Sequence, residues 1–227
     1  MMNFAMRPPR PASITFNALA LLAICAVLCT TLVWEFGHGY APDAAAQLQR
    51  LAYLMAGAGL LLNLRFGPSP AHYAMTLAAA LIGIAAAGLQ VLPRLVGSAT
   101  EAATAGAPAM ATGSPATLLG MQPATWSLAG FAVLLVYCTF MLMLDRRATD
   151  NSMPRRVGMF TALSMWLFFF AALGTTVATG LQCGVSTCPA PGQGYAWLPA
   201  EWQPTPALAD VQAEPLPAAA TTADKPR

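Results

Sequence analysis

Two groups of residues in this chain have the types and spacing to do chemistry. Cys183 and Cys188, within Cys-Gly-Val-Ser-Thr-Cys-Pro, directly follow a long apolar run. On the oxidising side of a membrane they are expected to form a disulfide. Such a bond either staples the chain or exchanges electrons; spacing alone leaves both open, with the staple as the default. A metal site would need more ligands than two thiols, no histidine is near, and no metal is expected. The second group is Arg50 with Gln47 and Gln49. The apolar run Leu51–Leu64 between Arg50 and Arg65 covers about 21 Å at about 1.5 Å per helical residue, against about 30 Å of hydrocarbon. Arg65 ends its helix at Phe66-Gly67-Pro68, so Arg50 is expected a turn or two inside the outer interface. There it either snorkels to the headgroups or faces the bundle as a fixed cation for a polar ligand dissolved in the membrane. Gln47 and Gln49 would add hydrogen bonds.

The other reactive side chains have plainer readings. Cys25 and Cys29 lie four apart on one apolar helix, and Cys138 stands alone on another; buried thiols act mostly as small hydrophobes. His38 and His72 fall on opposite sides of the bilayer, so they cannot share a metal. They are expected at the interfaces, as are Trp34, Tyr40, Tyr73, Trp126, Trp197 and Trp202. Glu35 and Asp43 flank a short outer loop and are expected to be solvated there. No phosphate-binding loop, zinc-protease pair or nucleophile elbow occurs.

The elements that must hold these residues are membrane helices. Only 9% of the 227 residues are charged and 57% are hydrophobic, with a mean hydropathy of +0.57. Soluble domains carry about 25% charged residues, so an ordinary cytosolic enzyme, a disordered chain and a nucleic-acid binder are excluded. Five apolar runs are predicted to span: Ile14–Trp34, Leu51–Leu64, Tyr73–Leu92, Ala124–Leu144 and Val157–Leu181. An unpaired strand cannot satisfy its backbone in lipid, so the fold class is an all-α integral membrane protein. The first run is expected to be a retained anchor, because no small-residue cleavage site closes it.

Orientation follows the basic residues. With the N-terminus inside, Arg7, Arg10, Arg65, Arg146, Arg147, Arg155 and Arg156 are cytoplasmic, and Arg50, Arg94, Lys225 and Arg227 lie outside. The N-terminus is therefore expected inside and the C-terminus outside. Gly97–Met121 is expected to be a flexible outer loop whose end, Leu118–Trp126, lies along the membrane surface. Eight of the 19 prolines fall within 183–227, which predicts an extended tail. Ala56-Gly57-Ala58-Gly59 and Ala78-Ala79-Ala80 permit close helix contact.

Several short stretches together resemble a known family. Pro42-Asp43-Ala44-Ala45-Ala46-Gln47-Leu48-Gln49-Arg50 is similar to the signature of the disulfide bond formation protein B (DsbB) family, Pro-Cys-x-x-Cys with an Arg four residues after the second Cys. Gly88-Leu89-Gln90, and Leu119-Gly120-Met121-Gln122-Pro123 with Trp126, also resemble that family. The resemblance covers about residues 13–146. It implies a four-helix bundle in the bacterial inner membrane that reoxidises a periplasmic thioredoxin-fold oxidase. It also implies ubiquinone or menaquinone as cofactor and a place for Arg50 beside the quinone ring. The signature cysteines align with Asp43 and Ala46, and the second outer loop has none, so the usual relay through those loops cannot run.

The expected organisation is a cytoplasmic N-terminus (1–13), a DsbB-like four-helix membrane domain (14–146), a cytoplasmic loop and fifth helix (147–182), and a periplasmic Pro-rich tail (183–227). Two functions are consistent with it. One is electron transfer from a periplasmic dithiol through Cys183 and Cys188 to a membrane quinone, with Arg50, Gln49 and Gln47 holding the quinone. The other is a non-catalytic membrane subunit or assembly factor. The expected partners are membrane lipid and a periplasmic thioredoxin-fold protein or membrane complex, with no nucleic acid. A transporter ranks below both, since the spans hold few polar residues to line a path.

Overall fold

The computed structural model describes residues 11–38, 42–103, 120–145, 158–184, 197 and 199. These form five helices: α1 (Pro11–His38), α2 (Ala44–Phe66), α3 (Pro70–Ala103), α4 (Pro123–Asp145) and α5 (Met159–Cys183). Four of them contain segments long and apolar enough to cross a membrane, namely Ser13–Gly37, Pro70–Leu92, Pro123–Leu144 and Met159–Cys183. The protein is thus an all-α, multi-pass membrane protein in contact with lipid.

The expected span at Leu51–Leu64 belongs to α2, which is not among those four. Its 23 residues include Arg50 and Arg65 and bury Gln49, Arg50 and Asn63. Its buried polar side chains are turned into the bundle, while Leu48, Leu51 and Met55 stay exposed. It packs against α1, α3 and α5, while α3 also carries α4 and α1 carries α5. Its buried positions Arg50, Tyr53, Gly57, Leu60 and Leu64 recur at three- and four-residue steps, one face of a 3.6-residue period.

All five helices meet in one core. Leu21, Ile24 and Leu28 from α1 join Tyr53, Ala56 and Leu60 from α2, Ala80 from α3, Phe131 from α4 and Phe168 from α5. Lipid is as apolar as these side chains, so close packing rather than expulsion from water holds them together. Glycine makes that possible, and α2 shows it twice. A Cβ on Gly57 would run into the Phe168 ring, and one on Gly59 would meet the His72 carbonyl at 2.8 Å. The Tyr53 and Phe131 rings stack with centroids 4.0 Å apart.

Polar side chains fix the register. At the end of the bundle where α1 begins, Asn17 Nδ2 donates to Tyr73 Oη at 2.9 Å and Asn17 Oδ1 accepts from Tyr137 Oη at 2.7 Å. Tyr73 is fully buried, so it is a core residue and not the interfacial aromatic expected from its position. In the turn between α2 and α3, Asn63 Oδ1 accepts from the Ser69 amide at 3.0 Å and lies 3.1 Å from His72 Nδ1. Gly67 closes α2 at φ 103°, a backbone angle that L side chains rarely adopt.

Two boundaries differ from expectation. α3 continues to Ala103, so the first part of the predicted loop Gly97–Met121 is helical. α1 begins at Pro11, which suits the first turn of a helix because its missing N–H is not needed there. The predicted basic loop Arg146–Arg156 and most of the tail lie outside the described residues. So does the part of the predicted surface segment before Gly120.

Candidate functional site

The polar residues singled out on α2 converge at its N-terminal end. Asp43 caps the helix, its Oδ1 accepting the Ala46 amide at 2.8 Å. This satisfies one of the donors that a helix start leaves free. The same carboxylate receives Gln90 Nε2 from α3, at 2.9 Å to Oδ1 and 2.8 Å to Oδ2. Gln90 Oε1 accepts Gln49 Nε2 at 2.7 Å. Asp43 is therefore no solvated loop carboxylate. It is a structural cap tied to α3.

Gln47 works on the opposite flank. Its Nε2 donates to Gln182 Oε1 on α5, and its Oε1 accepts Thr179 Oγ1 at 3.0 Å. Gln182 Nε2 donates to the Pro42 carbonyl at 2.8 Å. The end of α5 is thus sewn to the residues just before α2. Cys183, the next residue, is disulfide-bonded and 7% exposed. Cys188 lies outside the described residues. Beyond the helix, the Trp197 amide donates to the Leu181 carbonyl at 3.2 Å, and the indole lies over Gly184.

One turn along α2 from Gln47 lies Arg50, 6% exposed. Its Nη2 sits 2.6 Å from Glu35 Oε2 on α1 and donates to the Thr31 carbonyl at 3.4 Å. The guanidinium points into the bundle, which settles the choice left open between snorkelling and inward placement. The Glu35 side chain is wholly closed to solvent, contrary to the solvated role expected for it. Each charge compensates the other; a lone charge in this position would be costly. Arg50 Nη1 is buried and has no hydrogen-bond partner among the described residues.

The site residues expected from sequence therefore part into two kinds. Gln47 and Gln49 are engaged with other side chains, so their amides join helices. Arg50 keeps one donor uncommitted. That nitrogen can donate to a hydrogen-bond acceptor. Thr179 and Gln182 carried no expectation, Glu35 was expected to be solvated, and Gln90 was noted only as part of a motif. Periodicity carries the signal for two of them. Glu35 falls seven residues after Leu28 on the buried stripe of α1, and Gln182 continues the stripe of Phe168, Ala171, Thr175 and Ala178 on α5.

The remaining thiols fit the plain reading. Cys25 and Cys138 are buried and Cys29 is exposed on the apolar face of α1, all three free. Among the described residues no three His, Cys, Asp or Glu side chains are placed to hold a metal. No protein-family model, curated protein or solved structure matches the chain.

Proposed function

We propose that this chain is a DsbB-like protein of the bacterial inner membrane, moving electrons from a periplasmic dithiol to a membrane quinone. The observation that carries the reading is a disulfide at Cys183, joined through Gln182 to Pro42 and Gln47. Pro42 precedes the position of the first family cysteine. The appended helix thus supplies a disulfide at the corner of the bundle where the signature pair is missing.

The chemistry is thiol–disulfide exchange. A thiolate of the partner, a thioredoxin-fold protein, attacks the Cys183–Cys188 disulfide and forms a mixed disulfide. The partner's second thiol then displaces it, leaving the partner oxidised and Cys183 and Cys188 as thiols. Re-forming the disulfide releases two electrons and two protons, and a bound quinone would supply the acceptor for them. Arg50 Nη1 would hold a quinone oxygen. Gln47 and Gln49 position α2 through Gln182 and Gln90. In this reading the N-terminus is cytoplasmic and the disulfide periplasmic.

The test mixes the purified protein with a reduced dithiol partner and ubiquinone-1, following quinone absorbance. Loss of absorbance that depends on Cys183 supports the proposal. A rate no higher than that of a Cys183→Ser control refutes it.

A second reading, a non-catalytic membrane subunit or assembly factor, is favoured by Asp43. There the family's first redox position has become a helix cap bound to Gln90. Normal biological function of a Cys183→Ser/Cys188→Ser variant, with a stoichiometric partner co-purifying in detergent, would favour it.

A further inference from the structure

Arg50 and Glu35 form a buried ion pair among the described residues. Both side chains are buried, their nearest atoms are 2.6 Å apart, and Nη2 also reaches the Thr31 carbonyl. These contacts occupy one of the two terminal nitrogens. The other, Nη1, is closed to solvent without a partner among the described residues. A buried donor left unmade is costly, so something that accepts a hydrogen bond there lowers the free energy of the bundle. Nη1 is closed to solvent as the helices stand, so an acceptor could reach it only where they part.

The charge around that donor decides what is accepted. An unpaired guanidinium would draw carboxylates and phosphates most strongly. Here the Glu35 carboxylate adjoins the same guanidinium, and its repulsion of an incoming anion offsets the attraction of Arg50. An uncharged acceptor feels only the N–H dipole and loses nothing to Glu35.

We infer that Glu35 is the positioning residue of this site: it holds Arg50 by Nη2, cancels its charge, and so makes Nη1 a receptor for a neutral carbonyl oxygen and not for an anion. The inference rests on the proposed quinone site for the identity of one ligand but reaches beyond it. Neutral carbonyls in a bilayer come from quinones and from lipid esters, and Nη1 accepts the shared group.

The experiment uses the full chain in detergent and native mass spectrometry with three probes: ubiquinone-1, dioleoylglycerol and oleate. The first two offer uncharged carbonyls and the third a carboxylate. The wild-type protein is expected to take a neutral probe at least tenfold better than oleate. Glu35→Gln leaves a hydrogen-bond acceptor for Nη2 but removes the compensating charge, so oleate binding should rise at least tenfold. A role confined to stability would not change that preference. Glu35→Leu/Arg50→Met removes both charges together and should lose every adduct while staying folded.

Equal uptake of oleate and neutral probes by the wild-type protein overturns the inference without any variant. So does an unchanged preference in Glu35→Gln. Binding of dioleoylglycerol but not ubiquinone-1 sustains the inference and refutes the quinone reading. Binding of ubiquinone-1 with no effect of Glu35→Gln does the reverse. No adduct with any probe refutes both.

Discussion

Removing Arg50 alone should damage the fold far more than removing Arg50 and Glu35 together. The pair is sealed, with side-chain exposures of 7% and 0% and an N–O distance of 2.6 Å. Arg50→Met removes the cation 2.6 Å from the Glu35 carboxylate, and breaking a buried pair by deleting one partner costs about 3–5 kcal/mol. Glu35→Leu strands the guanidinium and should cost a similar amount. The double variant Glu35→Leu/Arg50→Met strands neither, and apolar replacement of a whole buried pair is often neutral or stabilising by about 1–4 kcal/mol. The two single losses should therefore fail to add, with an interaction energy at or beyond the upper end of the usual range of about 0.5–3 kcal/mol. Unfolding of all four proteins by sodium dodecyl sulfate titration, followed by circular dichroism, closes the cycle. Additive losses, or a single substitution costing under about 1 kcal/mol, would refute the burial argument and return Arg50 to the headgroups.

Three further outcomes follow from the packing. Asp43→Ala removes a cap worth about 0.5–2 kcal/mol and leaves Gln90 without its carboxylate, so the same titration should show a loss near the top of that range or above it. Gly59→Val drives a branched side chain into the His72 carbonyl and Thr76 at the α2–α3 contact, and should cut the yield of folded protein in size-exclusion chromatography, whereas Gly88→Ala, with open space around it, should not. Cys25, Cys29 and Cys138 are free among five cysteines in all, so alkylation of denatured, unreduced protein should add three labels, and prior reduction should raise the number to five by mass.

The helices were legible in the sequence because lipid demands long apolar runs, and those runs are hard to miss. The paired helix ends of the site were less so. Arg50 was placed at its depth by counting residues from Arg65, but counting gives depth and not direction. Direction comes from the stripe Arg50, Tyr53, Gly57, Leu60 and Leu64 on α2. Glu35 was misread because a carboxylate near a loop is usually wet. Its place on the Leu21, Leu28 stripe of α1 outweighed its nearness to the loop once Arg50 stood opposite. Gln182 and Gln90 could not have been paired with Gln47 and Asp43 from spacing, since those contacts join residues far apart in the chain. They depend on which helices are neighbours, and hydrophobic runs say little about that. The same holds for Asn17 with Tyr73 and Tyr137, where three helices meet in a single amide.

The account stands or falls on whether electrons pass from the thiol of Cys183 to a quinone. The direct measurement is one turnover without oxygen: protein reduced at Cys183, freed of reductant, mixed with one equivalent of ubiquinone-1 and quenched with an alkylating mass tag. The account predicts that the tag is lost from Cys183 in step with the appearance of quinol. Cys183 that stays fully taggable while the quinone stays oxidised would contradict it.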